Sequence, residues 1–187
     1  MLTIPEVAAG LTGALRLARM DAGGLALLDA TPAGALRSFR VALLVLPLQA
    51  VMRLLLLWPD LDRQPLADVL TAELLIYVLV WTAFPVAMIE ITRALGREAL
   101  YPLYVSANNW ANLVASLVYF PAVLLVAAGL MPQELIGLIN IAAIIYAWFI
   151  FRSSLQVSGI AAAALVLADL SLFILINDMV RGRLLGL

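Results

Sequence analysis

The sequence predicts an all-α polytopic integral membrane protein, a bundle of five transmembrane helices preceded by an N-terminal amphipathic interfacial helix. Two observations predict this fold class. Of the 187 residues, 65% are hydrophobic and 12% are charged, and the mean hydropathy is +1.09. A soluble domain of this length cannot bury so much apolar surface, so the composition indicates a lipid solvent. The apolar residues also fall into five runs, each long enough to cross a bilayer.

The N-terminal segment, residues 1–34, begins with a helix whose start is encoded in "TIPE". Thr3 and Glu6 have the spacing of a capping box, and Pro5 suits the first helical turn. The glycines of "DAGG" (21–24) predict the end of this helix.

Apolar residues of this first helix share one side, and Arg16 and Arg19 lie away from them: Ile4, Val7, Ala8, Leu11, Leu15 and Ala18. Such a helix is typical of the membrane interface, so we expect its apolar face in the acyl boundary and its arginines among anionic lipid head groups. The alternative is a helix packed on the other helices of the same protein.

The transmembrane domain, residues 35–187, follows a second helix start at Thr31-Pro32. The connections "MPQE" and "RSSLQ" are short enough to predict tight antiparallel hairpins. The predicted spans are about 41–58, 69–91, 109–130, 135–151 and 157–180.

Arginine asymmetry predicts the orientation, because cytoplasmic loops carry an excess of basic residues. A cytoplasmic N-terminus puts seven arginines inside and three outside, the outer three being Arg63, Arg181 and Arg183. All eleven basic residues are arginine, and with abundant alanine, leucine and valine this composition indicates a GC-rich bacterial genome. We therefore expect a cell membrane location, the bacterial inner membrane.

The composition also excludes several function classes. Cysteine, histidine and lysine are absent, which removes disulfides, thiol catalysis, the usual zinc sites and Schiff-base chemistry. The net charge of −1 gives no reason to expect a nucleic-acid partner. No catalytic or nucleotide-binding motif is present, so we expect a non-enzymatic protein without a cofactor or a metal.

Two glutamates bracket the second span, in "TAELLIYVLVWTAFPVAMIEITR" (71–93). They are seventeen residues apart, roughly 25 Å along a helix axis. Arg93 follows Glu90 by three residues, so we expect a helical ion pair at the cytoplasmic rim. Glu73 then lies near the outer boundary. Pro85 leaves the Trp81 carbonyl without its helical donor, which predicts a bend.

Helical rise places one polar side chain from each span in a single layer of the outer half of the bilayer. These residues are Arg53, Glu73, Tyr119, Asn140 and Asp169. A charge inside the membrane costs about 2.5 kcal/mol or more, so such residues face the bundle interior and pair. We expect Arg53 to pair with Asp169, with Glu73 as the competing partner.

This polar layer has three interpretations. The first is structural: an ion pair and hydrogen bonds that hold the helices in register. The second is a proton or ion pathway in which Asp169 titrates. In the third, Arg53 and Glu73 extend to the outer interface and only Asp169 is buried.

Three amides in "SANNWANL" (106–113) are expected at the cytoplasmic entrance of the third span. Asn108, Asn109 and Asn112 form a candidate ligand-binding mouth, although an N-cap with an interfacial Trp110 is the more common arrangement. In the fifth span, Gly159 and three alanines at four-residue spacing favour close helix packing, within the chain or with a second protomer.

The five short-looped spans, the turn "MDAGG" and the segment "TPAGALRSFR" before the first span resemble bacterial members of the Yip-domain family. That resemblance implies a small five-span membrane protein. Eukaryotic relatives are linked to Rab GTPases and membrane trafficking, but their Asp-Leu-Tyr-Gly-Pro signature is absent here, so the resemblance implies no GTPase partner.

The leading functional prediction is a scaffold or membrane-organising, partner-binding component, whose partners are the lipid bilayer, anionic head groups, and a homo-oligomer or a larger membrane complex. The alternative is a small transporter or an ion- or proton-conducting unit that uses the polar layer. An accessory subunit of a larger complex is a third class.

Overall fold

The computed structural model describes residues 2–57 and 65–186, and the side chains of all these residues except 54–57. All regular secondary structure in these ranges is helical, and no strand occurs in them. The α-helices are α1 (Ile4–Ala18), α2 (Pro32–Ser38), α3 (Arg40–Leu57), α4 (Leu66–Ala94), α5 (Tyr101–Ala127), α6 (Glu134–Leu155) and α7 (Gly159–Leu184). Short 3₁₀ helices span Ala22–Leu27 and Glu98–Leu100.

Two helix starts predicted from the sequence are confirmed. The Thr3 amide donates to Glu6 Oε2 at 2.8 Å and the Glu6 amide donates to Thr3 Oγ1 at 3.3 Å, which completes the capping box of α1. Thr31 caps α2 in a similar way, accepting at 3.0 Å from the Gly34 amide.

The predicted glycine stop of α1 is wrong. The helix ends at Ala18, and the left-handed residue beyond it is Met20, with φ of 60°. Asp21 then accepts from the Gly23 amide at 2.8 Å and begins the 3₁₀ helix. The glycines instead allow close packing, because a Cβ on Gly24 would collide with the Gly13 carbonyl.

Five helical segments are long and apolar enough to cross a membrane, as expected. The observed helices are longer than most of the predicted spans, and α5 begins at Tyr101, well before residue 109. Pro102 fits the first turn of α5, and α1 and α2 cover this polar part of the helix, which explains the early start. Trp58, the expected end of the first span, and Arg63 lie outside the described residues.

Helix α5 occupies the centre of the molecule. It packs against α1, α2, α3 and α6, whereas α7 packs against α4 and α6. One buried cluster joins α1, α3, α5 and α6 around Trp110 and Tyr146. A second cluster joins α4 through α7 around Tyr104 and Phe151, whose rings stack with centroids 5.2 Å apart. Both clusters contain residues of α5 and α6, so these two helices connect the α1 and α3 packing to the α4 and α7 packing.

Helix α1 packs on the protein's own helices, which was the alternative to a purely interfacial helix. Its buried face consists of Gly10, Gly13, Ala14 and Leu17, and this face is turned by about a third of a turn from the predicted apolar stripe. Val7 and Leu11 of that stripe pack partly against the same core. Ile4 and Leu15, on that stripe, remain 86% and 49% exposed. One face of α1 thus contacts the bundle and another presents apolar side chains outward.

Large apolar side chains also cover the outer surfaces of the long helices. Exposed examples on α4, α6 and α7 include Leu74, Val78, Leu138, Ile141, Leu167 and Ile174. Exposed apolar surface on this scale is unusual for a monomer in water. It is the surface expected of helices whose outer faces contact lipid.

Candidate functional site

An ionic contact within the bundle joins the ends of three helices. Glu73, in the second turn of α4, accepts a hydrogen bond from Arg181 Nη2 of α7 at 2.7 Å. Its other oxygen lies 3.2 Å from Arg53 Nε of α3, at ion-pair distance but without the alignment of a hydrogen bond. We call Arg53, Glu73 and Arg181 the arginine–glutamate cluster.

The predicted pairing of Arg53 with Asp169 is wrong, and the competing partner Glu73 takes its place. Asp169 precedes Arg181 by twelve residues on α7, about 18 Å along the axis. Arg181 is therefore the residue of α7 that reaches the level of Arg53 and Glu73. Sequence reasoning missed Arg181 because it was assigned to the outer flank. The sequence did contain a hint of this pairing, since Glu73 was placed near the same outer boundary as Arg181.

Asp169 lies half-buried on α7 and forms no ion pair with any described residue. It is close enough to the Tyr104 hydroxyl to interact with it electrostatically. Tyr104 itself is fully buried, and its hydroxyl has no hydrogen-bond partner in the described part of the chain. A buried hydroxyl without a partner among the described residues is energetically costly, so Tyr104 and the half-buried Asp169 are polar groups separate from the arginine–glutamate cluster.

The other two members of the predicted layer lie elsewhere. Tyr119 is half-buried beside Phe120 and faces a shallow groove with Gln133 and Ile136. Asn140 is exposed on α6 and forms no side-chain hydrogen bond with the described residues. The five residues therefore do not form one contiguous layer: two pair, and the remaining three point into different surroundings.

The asparagines of "SANNWANL" are inside α5 and not at its start, so the N-cap interpretation is wrong. Asn109 is completely buried and donates through Nδ2 to Ser38 Oγ of α2 at 2.8 Å. Asn108 is half-buried and Asn112 is exposed. The three side chains differ in burial because they project from different faces of one helix.

Ionic contacts hold together the first part of the chain, which we call the N-terminal unit (residues 4–38). Arg37 of α2 donates from Nε to Glu6 of α1 at 2.9 Å and from Nη2 to Asp29 at 2.5 Å. Asp29 also accepts from the backbone and the side chain of Thr31. One arginine therefore links α1, α2 and the turn between them.

These contacts stabilise the ionised carboxylates. Hydrogen bonds from the Thr3 amide and hydroxyl lower the pKa of Glu6, and Arg37 lowers it further. Bonds from the Thr31 hydroxyl and amide lower the pKa of Asp29, again with a contribution from Arg37. Both carboxylates are therefore ionised at neutral pH, and the positive charge of Arg37 lies between them.

Hydrogen bonds from α5 and α6 attach the N-terminal unit to the bundle. Ser106 Oγ donates to the Asp29 carbonyl at 2.7 Å, and Tyr146 Oη donates to the Ala14 carbonyl at 2.7 Å. Gly10 lies directly against the indole of Trp110, where a Cβ would collide with the ring. The attachment therefore combines hydrogen bonds with close helix packing.

A small cavity of about 80 Å³ lies at this attachment. Its lining includes Glu6, Asp29, Arg37, Ser38 and Ser106. Pockets for organic ligands have volumes of about 300 Å³ or more. This cavity is the size of a few water molecules.

The two arginines expected among head groups have different surroundings. Arg16 Nε donates to Asp21 at 2.6 Å, and this bond is the largest cause of the lowered pKa of Asp21. Arg19 is exposed and forms no ion pair with the residues that the structure describes. Only Arg19 of this pair thus presents an uncompensated charge.

At the other end of α4, the predicted ion pair of Glu90 with Arg93 is confirmed. Arg93 Nη1 lies 2.6 Å from Glu90 on the next turn, and both side chains are well exposed. Tyr101 donates to the Pro85 carbonyl at 3.0 Å, a contact between α5 and the proline-containing part of α4.

Comparisons with known proteins found no matching family model, no matching curated protein and no matching solved structure.

Proposed function

We propose that this chain is a non-enzymatic integral membrane protein that acts as a scaffold and presents its N-terminal unit to a partner at the membrane surface. The observation that carries the proposal is the attachment of that unit to α5 and α6, with the apolar side chains of Ile4 and Leu15 left outward. A fixed unit with exposed apolar residues suits binding better than a mobile tail, because little conformational entropy is lost on binding.

Membrane insertion is part of the proposal. It is supported by five helical segments of spanning length and by the apolar side chains on their outer faces. The arginine asymmetry favours a cytoplasmic N-terminus, and the composition favours a bacterial inner membrane. The resemblance to the Yip-domain family agrees with a five-span scaffold and adds no particular partner.

Site-specific photo-crosslinking in native membranes tests the scaffold function. A benzophenone amino acid at Leu15 is expected to yield a discrete protein adduct, because this side chain lies at the proposed binding face. The matched control is Leu138 on α6, 63% exposed and expected to contact lipid only. Protein adducts absent at Leu15, or equal at both positions, would contradict the proposal.

Conduction is the second candidate function. It is favoured by the half-buried Asp169, which has no ion pair among the described residues, and by the buried Tyr104 hydroxyl. Reconstitution into vesicles with an imposed pH gradient distinguishes the two functions. If the protein is a scaffold, vesicles that contain it should show the same proton flux as protein-free vesicles. A protein-dependent flux that is lost in Asp169→Asn and in Tyr104→Phe would establish conduction instead.

A further inference from the structure

We propose that the arginine–glutamate cluster binds one phosphate group, carried by a phospholipid head group or present as inorganic phosphate. The inference rests on the proposed membrane insertion, and it concerns the end of the bundle opposite the N-terminal unit. It follows from three properties of the cluster: its charge, its unused hydrogen-bond donors and its position.

The charge of the cluster is not balanced. Two guanidinium groups share one carboxylate, and Glu73 is the only described carboxylate within ion-pair distance of either arginine. Asp68 on α4 and Asp178 on α7 are exposed and pair with neither. All three side chains of the cluster are largely enclosed, with exposures of 13% for Glu73, 23% for Arg53 and 27% for Arg181. An enclosed site with a surplus positive charge favours an anion.

The hydrogen-bond donors of the cluster are also in excess. A guanidinium carries five N–H donors, yet the described residues provide one hydrogen bond for Arg181 and none for Arg53. The Nε atoms of both arginines are shielded from solvent and have no hydrogen-bond partner among the described residues. Since unsatisfied buried donors are costly, an acceptor-rich ligand would stabilise this arrangement.

Phosphate fits these donors well. Arginine presents paired N–H groups that match two phosphate oxygens, and such charge-assisted bonds are stronger than neutral ones. A single negative charge would neutralise the surplus left after Glu73 is paired.

The position of the cluster suits a head group. Arg53 lies near the end of α3, Glu73 near the start of α4 and Arg181 near the end of α7. A small apolar cluster containing Val69, Ala72 and Leu185 packs at the same end. If these helices span a bilayer, that end lies at the level where acyl chains meet phosphates.

Native mass spectrometry of the full-length protein in detergent tests the proposal. The ligands are phosphatidylglycerol, diacylglycerol as the same lipid type without phosphate, and inorganic phosphate titrated separately. The variants are Arg53→Gln, Arg181→Gln and Glu73→Gln. Arg183→Gln is the matched control, since Arg183 is exposed on α7 and forms no described ion pair.

We expect phosphatidylglycerol binding to weaken about tenfold in Arg53→Gln and Arg181→Gln, and to be unchanged in Arg183→Gln. Glu73→Gln should bind more tightly, because it removes the competing anion and keeps an acceptor for Arg181. This opposite sign separates ligand binding from a general loss of structure, which would weaken binding in all three cluster variants.

Arginine-dependent binding of inorganic phosphate alone would identify free phosphate as the ligand, and its absence would identify the lipid. Equal phosphatidylglycerol binding by every variant, or equal retention of diacylglycerol, would overturn the proposal. Alkaline carbonate extraction of the same variants reports membrane insertion independently, so a failure of phosphate binding is distinguishable from a failure of the proposed function.

Discussion

At the scale of single residues, the glycines of α1 control how closely that helix approaches α5 and the 3₁₀ segment that follows α1. Gly10 faces Trp110 and Gly13 faces Leu28 and the Gly24 carbonyl. A side chain at either position needs space that the packed structure does not have. In α6, Gly137 has no neighbouring atom near the position of an added Cβ. The same glycine-to-alanine substitution can therefore be compared at a crowded helical position, Gly10, and at an open one, Gly137.

We predict that Gly10→Ala destabilises the protein and that Gly137→Ala does not. Alanine stabilises an open helical position by about 0.5–1 kcal/mol. At Gly10 the added methyl group meets the indole of Trp110, at a cost of about 1–3 kcal/mol. Thermal unfolding of the purified protein in detergent measures both changes. A rise in Tm for Gly10→Ala would show that α1 does not pack as described.

Residue-level prediction from the sequence succeeded where partners are local. The Thr3–Glu6 capping box and the Glu90–Arg93 pair each span three residues, and both were predicted correctly. The partner of Arg53 could not be derived in the same way, because α3, α4 and α7 must first be arranged in space. Helical rise predicted which residues lie at a similar depth in the membrane, but it does not show which helices are neighbours.

At the scale of elements, the N-terminal unit depends on two ionised carboxylates. Glu6 and Asp29 both bind Arg37, and the pKa of each is below its ordinary value. Such carboxylates hold their protons less tightly in the folded state than in the unfolded one. Their contribution to stability is therefore complete above the ordinary values, 4.5 for Glu6 and 3.8 for Asp29, and is lost as pH falls through the lowered ones.

We predict that the stability difference between the wild type and Glu6→Gln is largest near neutral pH, begins to shrink near the ordinary pKa of 4.5, and is lost as pH falls through the lowered pKa of Glu6. Glutamine cannot titrate, whereas protonation of Glu6 in the wild type removes the charge that Arg37 binds. Thermal unfolding between pH 7 and pH 3 measures this difference. The control Glu134→Gln removes an exposed carboxylate that forms no described ion pair. A constant difference for Glu6→Gln across the range would refute the role of its charge.

The early part of the chain also shows where periodicity is insufficient. The apolar stripe of α1 predicted the face that contacts another surface, but the buried face contains two glycines, Gly10 and Gly13. Glycine adds little to an apolar pattern, although it allows the closest backbone approach. Hydrophobicity therefore identified Val7 and Leu11, which pack partly against the core, and missed the small residues of the fully buried face.

At the scale of the whole molecule, five apolar helices were predictable because spanning length and apolar composition are properties of each segment alone. The order of packing around α5 was not predictable. It depends on contacts such as Asn109 with Ser38, which are 71 residues apart. The sequence offered a ligand-binding mouth or an N-cap for the asparagines of α5, and it does not show that α2 covers this part of the helix.

The absence of cysteine makes the proposed orientation directly testable, since any introduced cysteine is the only thiol in the chain. We predict that Gln133→Cys, between α5 and α6, reacts with a membrane-impermeant maleimide added to intact spheroplasts. Glu98→Cys, between α4 and α5, should react only after the membrane is permeabilised. Both native side chains are exposed, so the difference reports sidedness. Labelling in the reverse pattern would place the N-terminus outside.

The hydrogen bond from Tyr146 to the Ala14 carbonyl joins residues 132 positions apart. A ribosome adds roughly 5–20 residues each second, so Ala14 waits roughly 7–26 seconds before Tyr146 has been made. Until that interval ends, α1 lacks the part of its docking site that α6 supplies, although the 3₁₀ helix and α5 are made earlier. During synthesis, α1 therefore either binds transiently to the bilayer surface or a chaperone, or remains exposed. In both cases it completes its docking on the bundle in a late step.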